Sequence, residues 1–221
     1  TDTYTLLKKP GAKQKMVFKA PTGAGKTVTI GAYLNQLCNE IPDQLELPKR
    51  KVAFIWFAPN QLHLQSFDAL KDYFKELRTI KPIQFEDITD NKLQPNEMLF
   101  VNWQSVNKAN NLYIKENEQG KDLIKFVNRA KLDDTEIICI LDEAHYHANG
   151  EKAQKLLKEI FAKIEIDVSA TPTFKSDYGF KIRRDEVIQA EMIKKNVILN
   201  AALNQHQQQG RSLRQVLLDE A

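Results

Sequence analysis

The fold class of this chain is decided by Ala20-Pro21-Thr22-Gly23-Ala24-Gly25-Lys26-Thr27, a glycine-rich turn. The turn follows a short apolar run, Met16 to Lys19, and precedes a stretch with helical spacing, Val28 to Cys38. Between a buried strand and a helix, such a turn directs successive backbone N–H groups at one point, and the helix dipole adds to their attraction for an anion. The pattern therefore predicts a phosphate-binding loop.

Each residue type in this loop has a predicted task. Gly23 and Gly25 permit the backbone path, and we expect the residues from Thr22 through Ala24 to Thr27 to bind the nucleotide. Lys26 can reach the β- and γ-phosphates of ATP, and the Thr27 hydroxyl can ligate Mg²⁺. The general pattern has glycine where this chain has Ala20, so the match rests on the strand before the loop and the helix after it.

Two carboxylates follow the apolar run Ile137 to Leu141, which is typical of a strand buried on both faces. Asp142 and Glu143 would be costly to bury unpaired, and a bound Mg²⁺ bridging to ATP would offset that cost. Side chains alternate along a strand, so we assign Asp142 to the metal and Glu143 to the attacking water.

Two histidines near these carboxylates, His145 and His147, lack a third ligand at zinc spacing, and the sequence argues against zinc. We instead predict that His145 forms hydrogen bonds across the site and relays the nucleotide state.

The rest of the chain repeats one rhythm: a short β-branched apolar run, a polar turn and a stretch with helical spacing. This rhythm predicts an α/β fold with a mostly parallel sheet and helices on both faces. One helix is indicated by the apolar stripe Leu62, Phe67, Leu70, Phe74 and Leu77, and loops are expected at Pro42 to Arg50 and Asn107 to Asn117. The predicted strands are Met16 to Lys19, Val52 to Phe57, Met98 to Val101, Ile137 to Leu141, Ile164 to Val168 and Val197 to Leu199.

The composition limits the class of protein and its expected compartment. A length of 221 residues with 42% apolar and 28% charged residues is typical of a globular domain, and a net charge of +3 permits nucleic-acid binding without requiring it. Cys38 and Cys139 lack metal or redox spacing and are predicted to be buried thiols in a reducing compartment, which favours the cytoplasm. No apolar run approaches the ~20 residues of a membrane span.

Taken together, the motifs resemble those of superfamily 2 helicases of the DEAH-containing kind, and within that group the motor domain of restriction-enzyme R subunits. They are Ala20 to Thr27, Ala58-Pro59-Asn60, Val101-Asn102-Trp103-Gln104-Ser105, Asp142 to His145 and Ser169-Ala170-Thr171-Pro172. The resemblance implies a RecA-like P-loop NTPase domain.

The same resemblance implies further roles. Ser169 and Thr171 would couple hydrolysis to domain movement, while Pro59 and Asn60, with Gln104 and Ser105, would contact the nucleic-acid backbone. From the residues alone, a contact by Gln104 or Ser105 stays open, and Trp103 is expected to pack in the core.

For the organisation of the protein, we expect residues 1–200 to form a helicase-type ATP-binding domain. Residues 201–221 would form a linker or helix leading to a second motor domain outside this chain. Gln207 to Arg214 matches the spacing of an arginine-finger motif, but a whole second sheet should precede such a motif, so the match is interpreted as coincidence.

The function expected is that of a DNA-dependent ATPase and translocase of a restriction-type enzyme. Its cofactors would be ATP and Mg²⁺, and its partners duplex DNA, the second motor domain and modification or specificity subunits. Two alternatives stay open: an RNA helicase motor domain, and a nucleotide-dependent binding or switch module with negligible hydrolysis.

Overall fold

The computed structural model describes residues 14–43, 51–107, 122–143, 150–172, 176 and 178–191. Strands and helices alternate through most of this range, as the βαβ rhythm of the sequence predicts. The strands are β1 (Gln14–Lys19), β2 (Lys51–Ala58), β3 (Lys81–Ile83), β4 (Glu97–Asn102), β5 (Thr135–Asp142), β6 (Ile164–Ser169) and β7 (Tyr178–Lys181). The helices are α1 (Lys26–Asp43), α2 (Leu62–Leu77), α3 (Trp103–Asn107), α4 (Leu123–Leu132), α5 (Glu151–Ile160) and α6 (Arg184–Gln189), with a short 3₁₀ turn at Phe85–Asp87.

The seven strands form one sheet in the order β3-β4-β2-β5-β6-β1-β7. Every pair in it is parallel, which confirms the predicted α/β fold. Parallel strands end at the same edge of a sheet, so the segments that follow β1, β2, β4, β5 and β6 share that edge. All five sequence motifs therefore begin along one edge.

Helices cover both faces of the sheet because the strand side chains alternate between two cores. On one face, Phe57 stacks on Trp103 with ring centroids 4.5 Å apart, in a cluster that includes apolar residues of α4 and α5. On the other face, Phe100 stacks on Trp56 and meets Phe67 of α2 edge to face at 5.5 Å. Trp103 is fully buried, which confirms that it packs in the core.

Helix boundaries differ from the predictions by a few residues. In the α2 stripe, Phe67, Leu70 and Phe74 are buried, but Leu77 is 43% exposed because the helix ends there. Helix α1 continues to Asp43, five residues past the predicted end. Pro42 therefore lies within the helix and not in the predicted loop, and residues 44–50 of that loop lie outside the described residues.

Two edge strands were not predicted. Strand β3 has only three residues and contains Pro82, which an edge strand tolerates. Strand β7, Tyr178-Gly179-Phe180-Lys181, lacks an apolar run and contains a glycine, so neither periodicity nor composition indicates it. The strand predicted at Val197 to Leu199 and most of the loop predicted at Asn107 to Asn117 lie outside the described residues.

The chain divides into two compact units, Thr1–Arg184 and Asp185–Ala221. The first contains the whole sheet. Of the second, the structure describes residues 185–191, most of which belong to α6. Within the described residues, no helix has the length and apolar character to cross a membrane.

Candidate functional site

The glycine-rich turn after β1 has the backbone of a phosphate-binding loop. Gly23 and Gly25 have φ angles of 82° and 67°, a region that side chains disfavour, and the Ala24 N–H closes the turn on the Pro21 carbonyl at 3.2 Å. Helix α1 begins at Lys26 and has no acidic residue in its first turn. Its N-terminal N–H groups and dipole therefore meet no negative side chain of their own turn that would compete with a phosphate.

Ala20, which stands where the general motif has glycine, does not have a positive φ angle. It is 1% exposed, and its N–H donates to the Ser169 carbonyl at 3.3 Å. A methyl group fits this position because the backbone is in an ordinary conformation.

The two carboxylates at the end of β5, Asp142 and Glu143, lie in contrasting settings. Asp142 ends the strand and is 7% exposed, and burial raises its pKa to about 7, with the Glu143 charge adding to the rise and Lys26 opposing it. Glu143 turns the chain with a φ of 48°, and its N–H donates to the Val168 carbonyl at 2.9 Å. A left-handed non-glycine residue costs roughly 1 kcal/mol and is found preferentially at functional sites.

This setting of Asp142 fits a divalent cation. A buried carboxyl group that resists ionisation becomes a favourable oxygen ligand once a cation supplies positive charge. Thr27, half-buried in the first turn of α1, offers a hydroxyl of the kind that phosphate-loop proteins use for Mg²⁺.

A chain of polar contacts joins three of the predicted motifs. Lys26 Nζ lies 3.3 Å from Glu143 Oε1, and the two side chains are only 11% and 17% exposed. Ser169 Oγ donates to Glu143 Oε2 at 3.3 Å and accepts from the Thr171 N–H at 3.1 Å. The contacts form because β1, β6 and β5 are neighbours in the sheet, so the residues after them converge.

The predicted nucleic-acid residues lie together after β2 and β4, which are also neighbours. Gln104 Nε2 donates a hydrogen bond to Asn60 Oδ1, and both residues are exposed. Pro59 is buried and Ser105 is half-buried.

Sequence reasoning missed His63 at this place, and it gave no separate role to Asn102, which belongs to one of the predicted motifs. His63 Nδ1 lies 2.8 Å from the Asn60 carbonyl oxygen, and Asn102 Oδ1 accepts from the Gln104 N–H at 2.9 Å. Their positions beside the predicted contacts were the available signal. His145 and His147 lie outside the described residues.

A phosphate loop after β1, paired carboxylates after β5 and a Ser-Ala-Thr segment after β6 define a helicase-like ATP-binding motor domain. The family model for the type III restriction enzyme, res subunit, matches residues 4–174. The chain belongs to this family, whose helicase-like domains use a nucleotide, usually with Mg²⁺. A comparison with curated proteins finds no match.

Proposed function

We propose that this chain is the first motor domain of a DNA-dependent ATPase that translocates on duplex DNA as part of a restriction-type enzyme. The observation that carries the proposal is the contact chain from Lys26 through Glu143 to Ser169. It links Lys26, which would bind phosphate, to Glu143, which would activate water. It also links Glu143 to Ser169, which would couple hydrolysis to domain movement.

In this proposal the phosphate loop binds ATP through the backbone of Thr22 to Gly25 and the Lys26 ammonium. Thr27 and Asp142 would hold Mg²⁺, which when bound would neutralise charge on the β- and γ-phosphates. Lys26 would exchange its contact with Glu143 for the phosphates. Glu143 would then be released to accept a proton from the attacking water.

The segment after β6 would respond to the movement of Glu143 that follows ATP binding. Because the Ser169 hydroxyl contacts both Glu143 and the Thr171 N–H, a movement of the Glu143 carboxylate alters the contacts of Ser169 and Thr171. We assign these two residues to the coupling of hydrolysis to domain movement, with His145 as a further relay.

The proposal extends to the organisation of the native protein. Residues 1–200 would form the ATP-binding domain, and residues 201–221 would lead to a second motor domain that supplies arginines to the transferred phosphoryl group. We infer duplex DNA as the polymer, modification or specificity subunits as partners, and the cytoplasm as the compartment. The family match supports the restriction-enzyme setting.

A second candidate function is a nucleotide-dependent switch with negligible hydrolysis. The Lys26–Glu143 contact favours it if Lys26 keeps this contact when ATP binds, because Glu143 would then stay paired and would not be released toward the water. An arginine contributed by another domain can be worth about 10³ or more in rate, so a domain without one would bind ATP and hydrolyse it slowly.

Glu143→Gln distinguishes the two candidates. The amide keeps the size of the side chain and an acceptor for Ser169, but loses the base and the charge that holds Lys26. For an ATPase we expect ATP binding to persist and phosphate release to fall by about 100-fold or more. Glu76→Gln, at an exposed position on α2, is the matched control. Equal rates in wild type and Glu143→Gln would favour the switch, and Lys26→Ala should abolish nucleotide binding under either function.

The polymer is tested with the same assay. Phosphate release is measured without nucleic acid, with duplex DNA and with RNA of the same sequence. Stimulation by duplex DNA supports the translocase, and stimulation by RNA alone would replace it with an RNA helicase motor. No stimulation by either polymer would overturn the nucleic-acid-dependent function.

A further inference from the structure

A buried tryptophan of β2 lies one strand away from Asp142. Trp56 is paired with Ile140 of β5, and Asp142 ends that strand two residues after Ile140. Because side chains alternate along a strand, Trp56, Ile140 and Asp142 share one face of the sheet. Diagonal neighbours on adjacent strands are within reach of an aromatic side chain, so the Trp56 ring can meet the Asp142 carboxyl group.

The indole N–H of Trp56 is a buried donor that lacks an acceptor. Trp56 is fully buried, and its ring stacks on Phe100 with centroids 5.9 Å apart. Within the described residues, its Nε1 is buried and has no hydrogen-bond partner. An indole nitrogen can only donate, and most buried polar groups in proteins are satisfied. The unsatisfied N–H therefore indicates a group that Trp56 is suited to bind.

The acceptor on this face is the Asp142 carboxyl group. Burial, followed by the Glu143 charge, raises the pKa of this carboxyl, whereas the Lys26 charge and the Trp56 N–H lower it. The indole thus already favours the ionised form of Asp142, although the contact falls short of a regular hydrogen bond. Asp142 is 7% exposed, so water offers this carboxylate few competing hydrogen bonds.

We propose that Trp56 is a positioning residue that orients Asp142 as a ligand for Mg²⁺. When Asp142 is ionised, the Trp56 N–H donates to its carboxylate and leaves acceptor capacity for the cation. Carboxylates that bind metals are themselves commonly held by hydrogen-bond donors, which fix their orientation. This inference rests on the proposed function and adds a core residue of β2 to the metal site.

The second tryptophan provides a matched control. Trp103 is also fully buried, and its Nε1 likewise has no hydrogen-bond partner in the part of the chain that the structure describes. It stacks on Phe57, which follows Trp56 in β2 and therefore faces the opposite side of the sheet. Trp56→Phe and Trp103→Phe remove the same indole N–H from two cores, and only the first of these N–H groups lies on the Asp142 face.

The test measures how strongly Mg²⁺ enhances nucleotide binding. The dissociation constant of a fluorescent, non-hydrolysable ATP analogue is measured by anisotropy, first with a chelator and then at rising Mg²⁺ concentrations. Wild type is compared with Trp56→Phe, Trp103→Phe, Asp142→Asn and the double variant Trp56→Phe/Asp142→Asn. Thermal midpoints verify folding, and the chelator series detects general damage to the site, because such damage weakens binding without Mg²⁺ as well.

We expect Trp56→Phe to raise the Mg²⁺ concentration for half-maximal enhancement about tenfold and to leave binding in chelator unchanged. Trp103→Phe should keep both values of the wild type. Because Trp56 acts through Asp142, its substitution should cause no further loss in the Asp142→Asn background. The same Mg²⁺ response in Trp56→Phe and Trp103→Phe, or additive losses in the double variant, would overturn the inference and leave the proposed function intact.

Fluorescence tests the inference independently of the folding of Trp56→Phe. The chain has two tryptophans, so Trp56 is the only one left in Trp103→Phe. Its emission should change when Mg²⁺ is added with the analogue, and Asp142→Asn should abolish that change. An emission that does not respond to Mg²⁺ would overturn the inference. A wild-type protein that does not bind the analogue would overturn the proposed function itself.

Discussion

At the scale of single residues, the two carboxylates of the candidate ATP site have different charge environments. Lys26 Nζ lies 3.3 Å from Glu143 Oε1, and this contact offsets part of the Glu143 charge. Asp142 is more buried and has a pKa of about 7, raised first by burial and then by the Glu143 charge. This arrangement makes a cation favourable at Asp142 and a phosphate favourable at Lys26.

The raised pKa of Asp142 predicts how stability changes with pH in the nucleotide-free protein. In the unfolded chain Asp142 ionises near its ordinary value of 3.8, so between that pH and 7 the folded protein binds the additional proton. The stabilisation by this proton is fully present below pH 3.8 and is lost as pH rises to 7. From about pH 5.5 to 8 the Asp142 contribution to the free energy of unfolding should fall by about 2 kcal/mol.

Urea unfolding of wild type and Asp142→Asn at both pH values, with a chelator present, checks this. The neutral amide removes the titration, so the variant should gain stability relative to wild type as pH rises. Using the difference between the two proteins cancels other titrating groups, such as His63, whose lowered pKa acts in the opposite direction. A difference that does not change with pH would contradict the assignment.

At the scale of elements, the packing of α1 against α2 depends on a glycine. A Cβ added at Gly31 of α1 would lie 2.5 Å from Leu70 Cδ2, and Leu70 is fully buried in α2. The absent side chain lets the two helices approach closely at this point.

Gly31→Val should therefore lower the free energy of unfolding by about 2 kcal/mol, because overpacking forces Leu70 out of its position. The matched control is Gly179→Val in β7, where a Cβ would meet Ser176 Oγ only at 3.8 Å and the Val17 carbonyl oxygen at 4.0 Å. Valine suits a strand, so the control should be neutral or slightly stabilising. Equal losses in the two variants, measured by chemical denaturation, would refute close helix packing as the cause.

At the scale of the whole molecule, the two cysteines report on global opening. Cys139 is completely buried in β5, as predicted, whereas Cys38 is only half-buried. Burial nevertheless raises the pKa of Cys38 to about 12, and its Sγ lies 3.9 Å from Asn96 Oδ1. A thiol reacts as the thiolate, so both should be inert in the folded protein. Near pH 8, labelling by a thiol reagent should be about 100-fold slower than in urea and should follow unfolding.

Mass spectrometry of the labelled protein distinguishes the two sites. Simultaneous modification of both cysteines supports one cooperative unit around the sheet. Rapid labelling of Cys38 alone would instead show that the end of α1 opens independently of β5.

Much of the fold could be predicted because the five long strands carry their own signals. The run Ile137 to Leu141 indicates a doubly buried strand wherever it lies in the sheet, and β5 indeed spans it. Strands β3 and β7 could not be predicted, since each is short and is held mainly by pairing with one neighbour, Glu97–Asn102 or Gln14–Lys19. Pairing partners are a property of the folded chain.

The candidate site also has features that the sequence predicts and features that depend on the folded chain. By itself the sequence determined the residue types and their order: the glycines and Lys26 of the loop, the carboxylates at the end of β5, and the serine after β6. It could do so because the φ angles of glycine, the burial of a strand and the chemistry of each side chain are local properties. Only the tertiary structure decided that Lys26 contacts Glu143, that Ser169 hydrogen-bonds the same carboxylate and that Gln104 hydrogen-bonds Asn60. These contacts depend on strand order, which brings together residues distant in the chain and is set by packing of the whole sheet.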